Sequence, residues 1–383
     1  MNTQLVTHIK ALEKQMFGLL ESLVLIQSGT HNKAGVDLMA ERVTKALSEV
    51  PLNAEIVPME NCGNMVRARS HSTCAQKPIL LLGHMDTVFP EDTEFNFYRE
   101  DKFKVYGPGV MDMKGGLVTG IFALKALSEL GLLSDLPVSV FFNSEEEIGS
   151  PYSRKLIEKQ ALKSKACFVL EGGGLGGQVA VGRKGKIGLD FIISGKAGHA
   201  GAAGLDKPSA VLEAAHKIIA LEGLNRPDDI LVNVGQMSGG IGPNSVAEQA
   251  ILTVDIRFSR PEDERMLFNQ VKEIAAENTV PGTSSQIRLN SGRPPMRTDE
   301  RIEALYQAVS KAAQKYGVPL AREVRGGVSD ANFVAAMGTP VLDGLGPCGD
   351  MDHSDKEYII RKSMVERTVL VAGSILEAGA MDL

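Results

Sequence analysis

"LLLGHMDTVFP", residues 80–90, decides how the chain is read. A short apolar run that stops at a glycine is the pattern of a strand covered on both faces, as in a parallel sheet flanked by helices. Side chains two positions apart on a strand point the same way, so His84 and Asp86 emerge together from the carboxyl end of the run. Two readings fit them. One is a histidine hydrogen-bonded at a strand end; the other is a metal-bound imidazole whose second ring nitrogen is held by the aspartate.

Outward from this strand, helix-period patterns at 2–28 and 35–49 precede apolar strands near 53–58, 64–69 and 78–83. A helix over 114–131, a strand over 136–142, a helix over 152–160 and a strand over 166–170 follow. This alternation predicts an α/β domain with a mostly parallel or mixed sheet flanked by helices. Near residue 184 the pattern changes: strand "GKIGLDFIISG", helix 208–223, strands 230–236 and 247–258, helix 262–278 and a strand near 285–290. That β-α-β-β-α-β order is the ferredoxin-like motif. Helices near 300–316, 329–337 and 362–379, with strand "TPVLDGLG" among them, resume the first pattern. The expected organisation is one α/β domain, 1–183 and 296–383, interrupted by a small α+β domain at 184–295.

The 383 residues are 43% hydrophobic, and 41 Lys and Arg against 47 Asp and Glu give a formal charge of −6. No dense basic block is present to neutralise phosphates, which argues against nucleic acid as a partner. Cys62, Cys74, Cys167 and Cys348 show no CxxC spacing and read as free thiols of a reducing compartment. "FGLLESLVLI", 17–26, is interrupted by Glu21 and reads as an amphipathic helix instead of a secretion signal. No apolar run reaches the roughly 20 residues a bilayer requires, so a cytoplasmic protein without membrane contact is expected. His8 and His216 lie in helical patterns and His31 and His71 in loops, and no role is assigned to them.

Four further stretches carry chemistry. In "GPGVMDMKGG", 107–116, glycines allow a tight turn from which Asp112 emerges just before a helix. A carboxylate there repels phosphate and favours a cation. In "FFNSEEEIGS", 141–150, Glu145, Glu146 and Glu147 crowd the end of an apolar strand, where like charges destabilise one another unless cations compensate; a solvated charge run is the plain alternative. Glu171 ends the strand of "FVLEGGG", and His353 sits in the polar loop "GDMDHSDKEY". Open α/β sheets bind ligands at the carboxyl edge. His84, Asp112, Glu147, Glu171 and His353 form an imidazole and carboxylate set suited to two zinc ions about 3.5–4 Å apart that share a bridging carboxylate.

In order, "GHMDTVFP", "GPGVMDMKGG", "SEEEIGS", "GKAGHAGAA", "GGVSDANF" and "HSDKEY" resemble the co-catalytic di-zinc exopeptidases and N-deacylases. That family includes glutamate carboxypeptidase, succinyl-diaminopimelate desuccinylase, acetylornithine deacetylase and aminoacylase. "SRPED", "SGRPP" and "GLGP" bring the pattern nearest to the bacterial glutamate carboxypeptidase branch. The resemblance implies that His84, Asp112 and Glu171 hold one zinc, and that His353, Glu147 and the shared Asp112 hold the other, with cobalt or manganese as substitutes. It places the general base at Glu146 and keeps Asp86 as the orienting partner of His84. It implies a homodimer whose inserted domain mediates dimerisation and whose His199, from the neighbouring subunit, stabilises the oxyanion. Asn244, Arg257, Arg293 and Gly326 fall at substrate-binding positions, where an arginine's planar fork suits a carboxylate.

Glu145 departs from the family, which more often has aspartate there. Arg183 and Lys184 follow a glycine-rich loop and read either as solvated hinge residues or as positive charge for an acidic side chain. The implied activity is release of a C-terminal amino acid, glutamate foremost, from a peptidyl, N-acyl or folate-like substrate. An N-deacylase, an aminopeptidase and a non-catalytic dimeric scaffold are the rivals.

Overall fold

The computed structural model describes residues 2–70 and 76–381, so His71 and Cys74 lie outside the described residues. Contact density divides the chain into two units, Met1–Gly182 with Thr298–Val324 and Ser329–Leu383, and Arg183–Arg297 with Arg325–Val328.

The larger unit is built on a six-stranded sheet ordered Leu52–Val57, Met65–Ser70, Val138–Asn143, Ile79–His84, Ala166–Val169 and Val341–Leu342. The last four run parallel and the first two pair antiparallel. Ile79, Leu80, Leu81 and Leu82 are all buried, as a central strand covered on both faces requires. The Lys114–Glu129 helix packs close against this sheet because residue 116 is glycine: a Cβ there would collide with the Leu170 carbonyl oxygen.

Three expectations change. The 2–28 helix is two helices, Asn2–Ala11 and Glu13–Val24, because the Leu12 N–H bonds the Ile9 carbonyl three residues back, a tighter turn than the α-helix. The strand of "TPVLDGLG" shrinks to Val341–Leu342, since Asp343 turns its carboxylate onto the Gly344 N–H and the Ser329 hydroxyl. A four-stranded antiparallel sheet of Gly349–Asp350, Tyr358–Ile360, Lys104–Tyr106 and Arg99–Glu100 was not expected. Its strands of two or three residues are too short to display an alternating pattern.

In the smaller unit four antiparallel strands run in the order Ile230–Gly239, Gln249–Phe258, Gly185–Ser194, Ser284–Arg293. With the Ala210–Glu222 and Pro261–Ala276 helices this is the ferredoxin-like order. Ile187, Leu189, Phe191 and Ile193 alternate along the central strand and are buried with Leu252, Val254, Ile256 and Phe258. Each such side chain contributes roughly 1.5–3 kcal/mol. Inside this core the Glu213 carboxylate pairs with Lys217 at 3.0 Å and accepts the Val280 N–H at 2.7 Å. The three cysteines among the described residues are buried free thiols. No helix among the described residues is long and apolar enough to cross a membrane.

Burial pushes the Glu213 pKa up, but the Val280 N–H and the Lys217 ammonium outweigh it and hold it below the usual carboxylate value. Its stabilisation is therefore present above about pH 4.5 and lost as pH falls through the lowered folded value. Thermal melts of Glu213→Gln are expected to lose stability at neutral pH and to show a flatter acid limb than wild type. Gly116→Ala is expected to lower stability by about 1–3 kcal/mol in urea titrations.

Candidate metal centre

The strand Ile79–His84 delivers His84 as its last residue, almost completely buried. Its Nδ1 lies 3.1 Å from the Asp86 carbonyl oxygen and 3.3 Å from the Asp86 carboxylate. Two acceptors on that side favour Nδ1–H, which leaves the lone pair of Nε2 facing the other side, free to bind a metal. Nε2 faces Asp112 Oδ1 at 2.9 Å and Glu171 Oε1 at 3.6 Å. The second Asp112 oxygen, Oδ2, meets His353 Nε2 at 3.1 Å, and Glu147 Oε2 lies 3.4 Å from the same nitrogen. One carboxylate thus stands between two imidazoles, with a further carboxylate beside each.

These residues reach one place by different routes. Glu147 follows the Val138–Asn143 strand, and Glu171 follows Ala166–Val169, both at the carboxyl edge of the sheet. Asp112 comes instead from a turn before the Lys114–Glu129 helix, entered through Gly109 at φ +76° and carrying a cis Asp112–Met113 peptide. His353 hangs from the hairpin between Gly349–Asp350 and Tyr358–Ile360 and takes φ +59°, a conformation L residues rarely adopt.

Electrostatics are strongly perturbed. Burial alone would lower the His84 pKa, but the Glu171 charge and hydrogen bonds to Asp112 and Asp86 raise it well above its ordinary value. Hydrogen bonds to Asp112 and Glu147 lift His353 to about 11. Burial and the Asp112 charge push Glu147 up to about 7, and burial raises Glu171. Burial also acts to raise Asp112, yet the two histidines hold it below the usual carboxylate range. The cluster asks for positive charge. Glu147 Oε1 is moreover buried with no hydrogen-bond partner among the described residues. Imidazoles, carboxylates and an orphaned buried oxygen fit a divalent cation. The ligand atoms of His84, Asp112 and Glu147 lie within 4.8 Å of one another, as do those of Asp112, Asp352 and His353. Asp352 is exposed and had drawn no role; its place beside His353 was visible only as sequence adjacency.

Asp86 does more than face His84. It accepts the Thr30 hydroxyl at 2.7 Å and the Glu146 and Glu147 amides at 3.2 and 3.3 Å, so it ties the histidine strand to the glutamate loop. Glu145 is fully buried and accepts the Tyr152 and Ser153 amides at 3.0 and 2.6 Å, holding the far side of the same loop. Thr30 and this use of Glu145 escaped sequence reading because neither residue sits in a ligand pattern.

The smaller unit holds the other candidates in two groups. His199 is exposed; its backbone pairs with Ser245, and Ala200 N–H bonds the Asn244 carbonyl, so His199 and Asn244 are neighbours. The Gly201 N–H donates to His199 Nδ1 at 3.2 Å, which places the neutral ring's proton on Nε2. Arg257 and Arg293 are both register partners of Lys186, and Arg257 Nη1 lies 3.4 Å from the Gly326 carbonyl. Asp255 lies against Arg257 at 2.6 Å and Lys186 at 3.4 Å. Arg183 is buried, not a solvated hinge residue, because its guanidinium donates to the Gly327 carbonyl at 3.0 Å. Lys184 Nζ donates to the Asp228 carbonyl at 3.3 Å.

Comparison with known proteins identifies the family of the chain. The model of peptidase family M20/M25/M40 matches residues 80–377. Carboxypeptidase G2 from Pseudomonas sp. (strain RS-16) is 29% identical over 372 residues, covering 94% of this chain and 88% of that protein. Succinyl-diaminopimelate desuccinylase from Helicobacter hepaticus is 23% identical over 375 residues, covering 89% of this chain and 92% of that one. A family M20 metallo-carboxypeptidase from Sulfolobus solfataricus shares the fold, with a TM-score of 0.80 at 18% identity over 96% of this chain and 99% of that one. The aminopeptidase PepT of Bacillus cereus shares it too, with a TM-score of 0.78 at 22% identity over 96% and 98%. The family match begins in the buried strand that ends at His84 and runs into the last helix, and the chain accordingly belongs to peptidase family M20/M25/M40 and is a metallopeptidase.

Proposed function

We propose that this enzyme is a dinuclear zinc carboxypeptidase that cleaves an amide bond and releases a C-terminal amino acid, glutamate foremost, from peptidyl, N-acyl or folate-like substrates. The observation that carries the reading is the Asp112 carboxylate, whose two oxygens each face a different histidine. His84, Asp112 and Glu171 would hold one ion, and His353, Glu147 and Asp112 the other. Such ions, when bound, supply Lewis acidity that brings a water molecule near neutral acidity.

The protein's own groups do the rest. Glu146, adjacent to Glu147 and anchored through its amide to Asp86, takes the proton of the attacking water and returns it to the leaving nitrogen. His199, with its proton on Nε2, donates to the developing oxyanion from the neighbouring subunit of a homodimer. Arg257 and Arg293, flanking Lys186, hold the terminal carboxylate of the substrate with Asn244 and the Gly326 backbone. Support for the carboxypeptidase reading comes from the name of carboxypeptidase G2, and support for an N-deacylase from the name of the desuccinylase.

Purified protein is expected to carry about two zinc ions per chain. Glu146→Gln should keep that metal and lose activity by at least about 100-fold; metal analysis beside a hydrolysis assay reads both. In a panel of amides ending in glutamate, aspartate or neutral residues, C-terminal glutamate is expected to give the highest kcat/KM. Preference for the acyl group, indifferent to the amino acid released, would favour the N-deacylase.

A further inference from the structure

Glu357 is fully buried and belongs to none of the groups assigned above. It is the residue before the Tyr358–Ile360 strand, whose Tyr358 pairs with Tyr106 at the end of Lys104–Tyr106. The ladder therefore sets Glu357 beside the mouth of the turn that carries Asp112. Its Oε2 accepts the Gly109 N–H at 2.9 Å, and its Oε1 accepts the Met111 and Asp112 N–H groups at 2.7 and 3.0 Å. Two further amides of the turn close within it: Val110 N–H bonds the Gly107 carbonyl and Lys114 N–H bonds the Gly109 carbonyl. Lys114 is buried as well, with Nζ on the Ile26 carbonyl at 3.0 Å, and anchors the turn from the helix side.

We infer that Glu357 is a positioning residue for the metal centre: it fixes the backbone of the Asp112 turn so that the carboxylate stands between His84 and His353. The reasoning is stereochemical. A carboxylate between two imidazoles must present both oxygens at set angles, and a free turn of this length has many conformations. Three amides converging on the two oxygens of one buried carboxyl group select one of them. The same hairpin carries His353 four residues earlier, so this one segment supplies a histidine to the cluster and locks the turn opposite it. Glutamine is the informative replacement, because it keeps the shape but presents an NH2 group where an oxygen had accepted, and at least one amide then faces a donor.

The inference rests on the metal reading above, and the test separates the two. Full-length metal-free protein is titrated with Co2+, whose visible absorption reports ligand geometry, for wild type, Glu357→Gln and, as a control buried in the other unit, Glu213→Gln. Glu357→Gln is expected to weaken Co2+ binding by about 10–100-fold and to alter the spectrum, with Glu213→Gln matching wild type in both. In the hydrolysis assay kcat should fall while KM stays near wild type. Wild type that takes up no Co2+ would overturn the metal reading itself. Wild-type uptake with an unchanged affinity and spectrum in Glu357→Gln would overturn only the role of Glu357. Hydrogen exchange on the wild-type protein tests the same point without a variant: the Gly109, Met111 and Asp112 amides should be protected before metal is added, and fast exchange there would contradict the inference.

Discussion

Asp112 lies between His84 and His353, residues 28 and 241 positions away in the chain, and the arrangement of the site depends on that contact. A carboxylate that bonds both imidazoles must be reached by a buried strand from one side and by a polar hairpin from the other. The fold supplies both. The central strand is rigid because apolar side chains cover it on two faces, and the hairpin is tied to the turn of Asp112 through the short sheet around Tyr358–Ile360.

Buried carboxylates recur in this centre with two distinct duties. Glu147, Glu171 and Asp112 point oxygens at the histidines, where burial and mutual repulsion make positive charge favourable. Asp86, Glu145 and Glu357 turn theirs toward backbone amides, whose hydrogen bonds satisfy the buried oxygens and fix the loops bearing the first group. Burying a polar group is costly unless it is hydrogen-bonded in this way. The arrangement explains why so many acids can be removed from solvent at one sheet edge.

Much of this was legible in the sequence, for identifiable reasons. The run at 80–83 reads as a covered strand with His84 at its end, and the glycines at 107 and 109 mark a turn from which Asp112 emerges. Alternation of Ile187, Leu189, Phe191 and Ile193 made the second unit readable as well. What stayed hidden depends on tertiary placement. Glu357 resembles any charged loop residue until Tyr358 pairs with Tyr106, and Glu145 resembles part of an acidic run until it meets the amides of Tyr152 and Ser153. Short strands such as Gly349–Asp350 carry too few residues to show a period. The grouping of Gly326 with Arg257 depends on residues 325–328 crossing into the smaller unit, which no local pattern marks.

The most direct test of the two-ion account is anomalous scattering from crystals of zinc-loaded protein, recorded on either side of the zinc absorption edge. The account predicts two anomalous peaks flanking the Asp112 carboxylate, one against His84 and Glu171 and the other against His353 and Glu147. A single peak, or zinc bound away from Asp112, would contradict it.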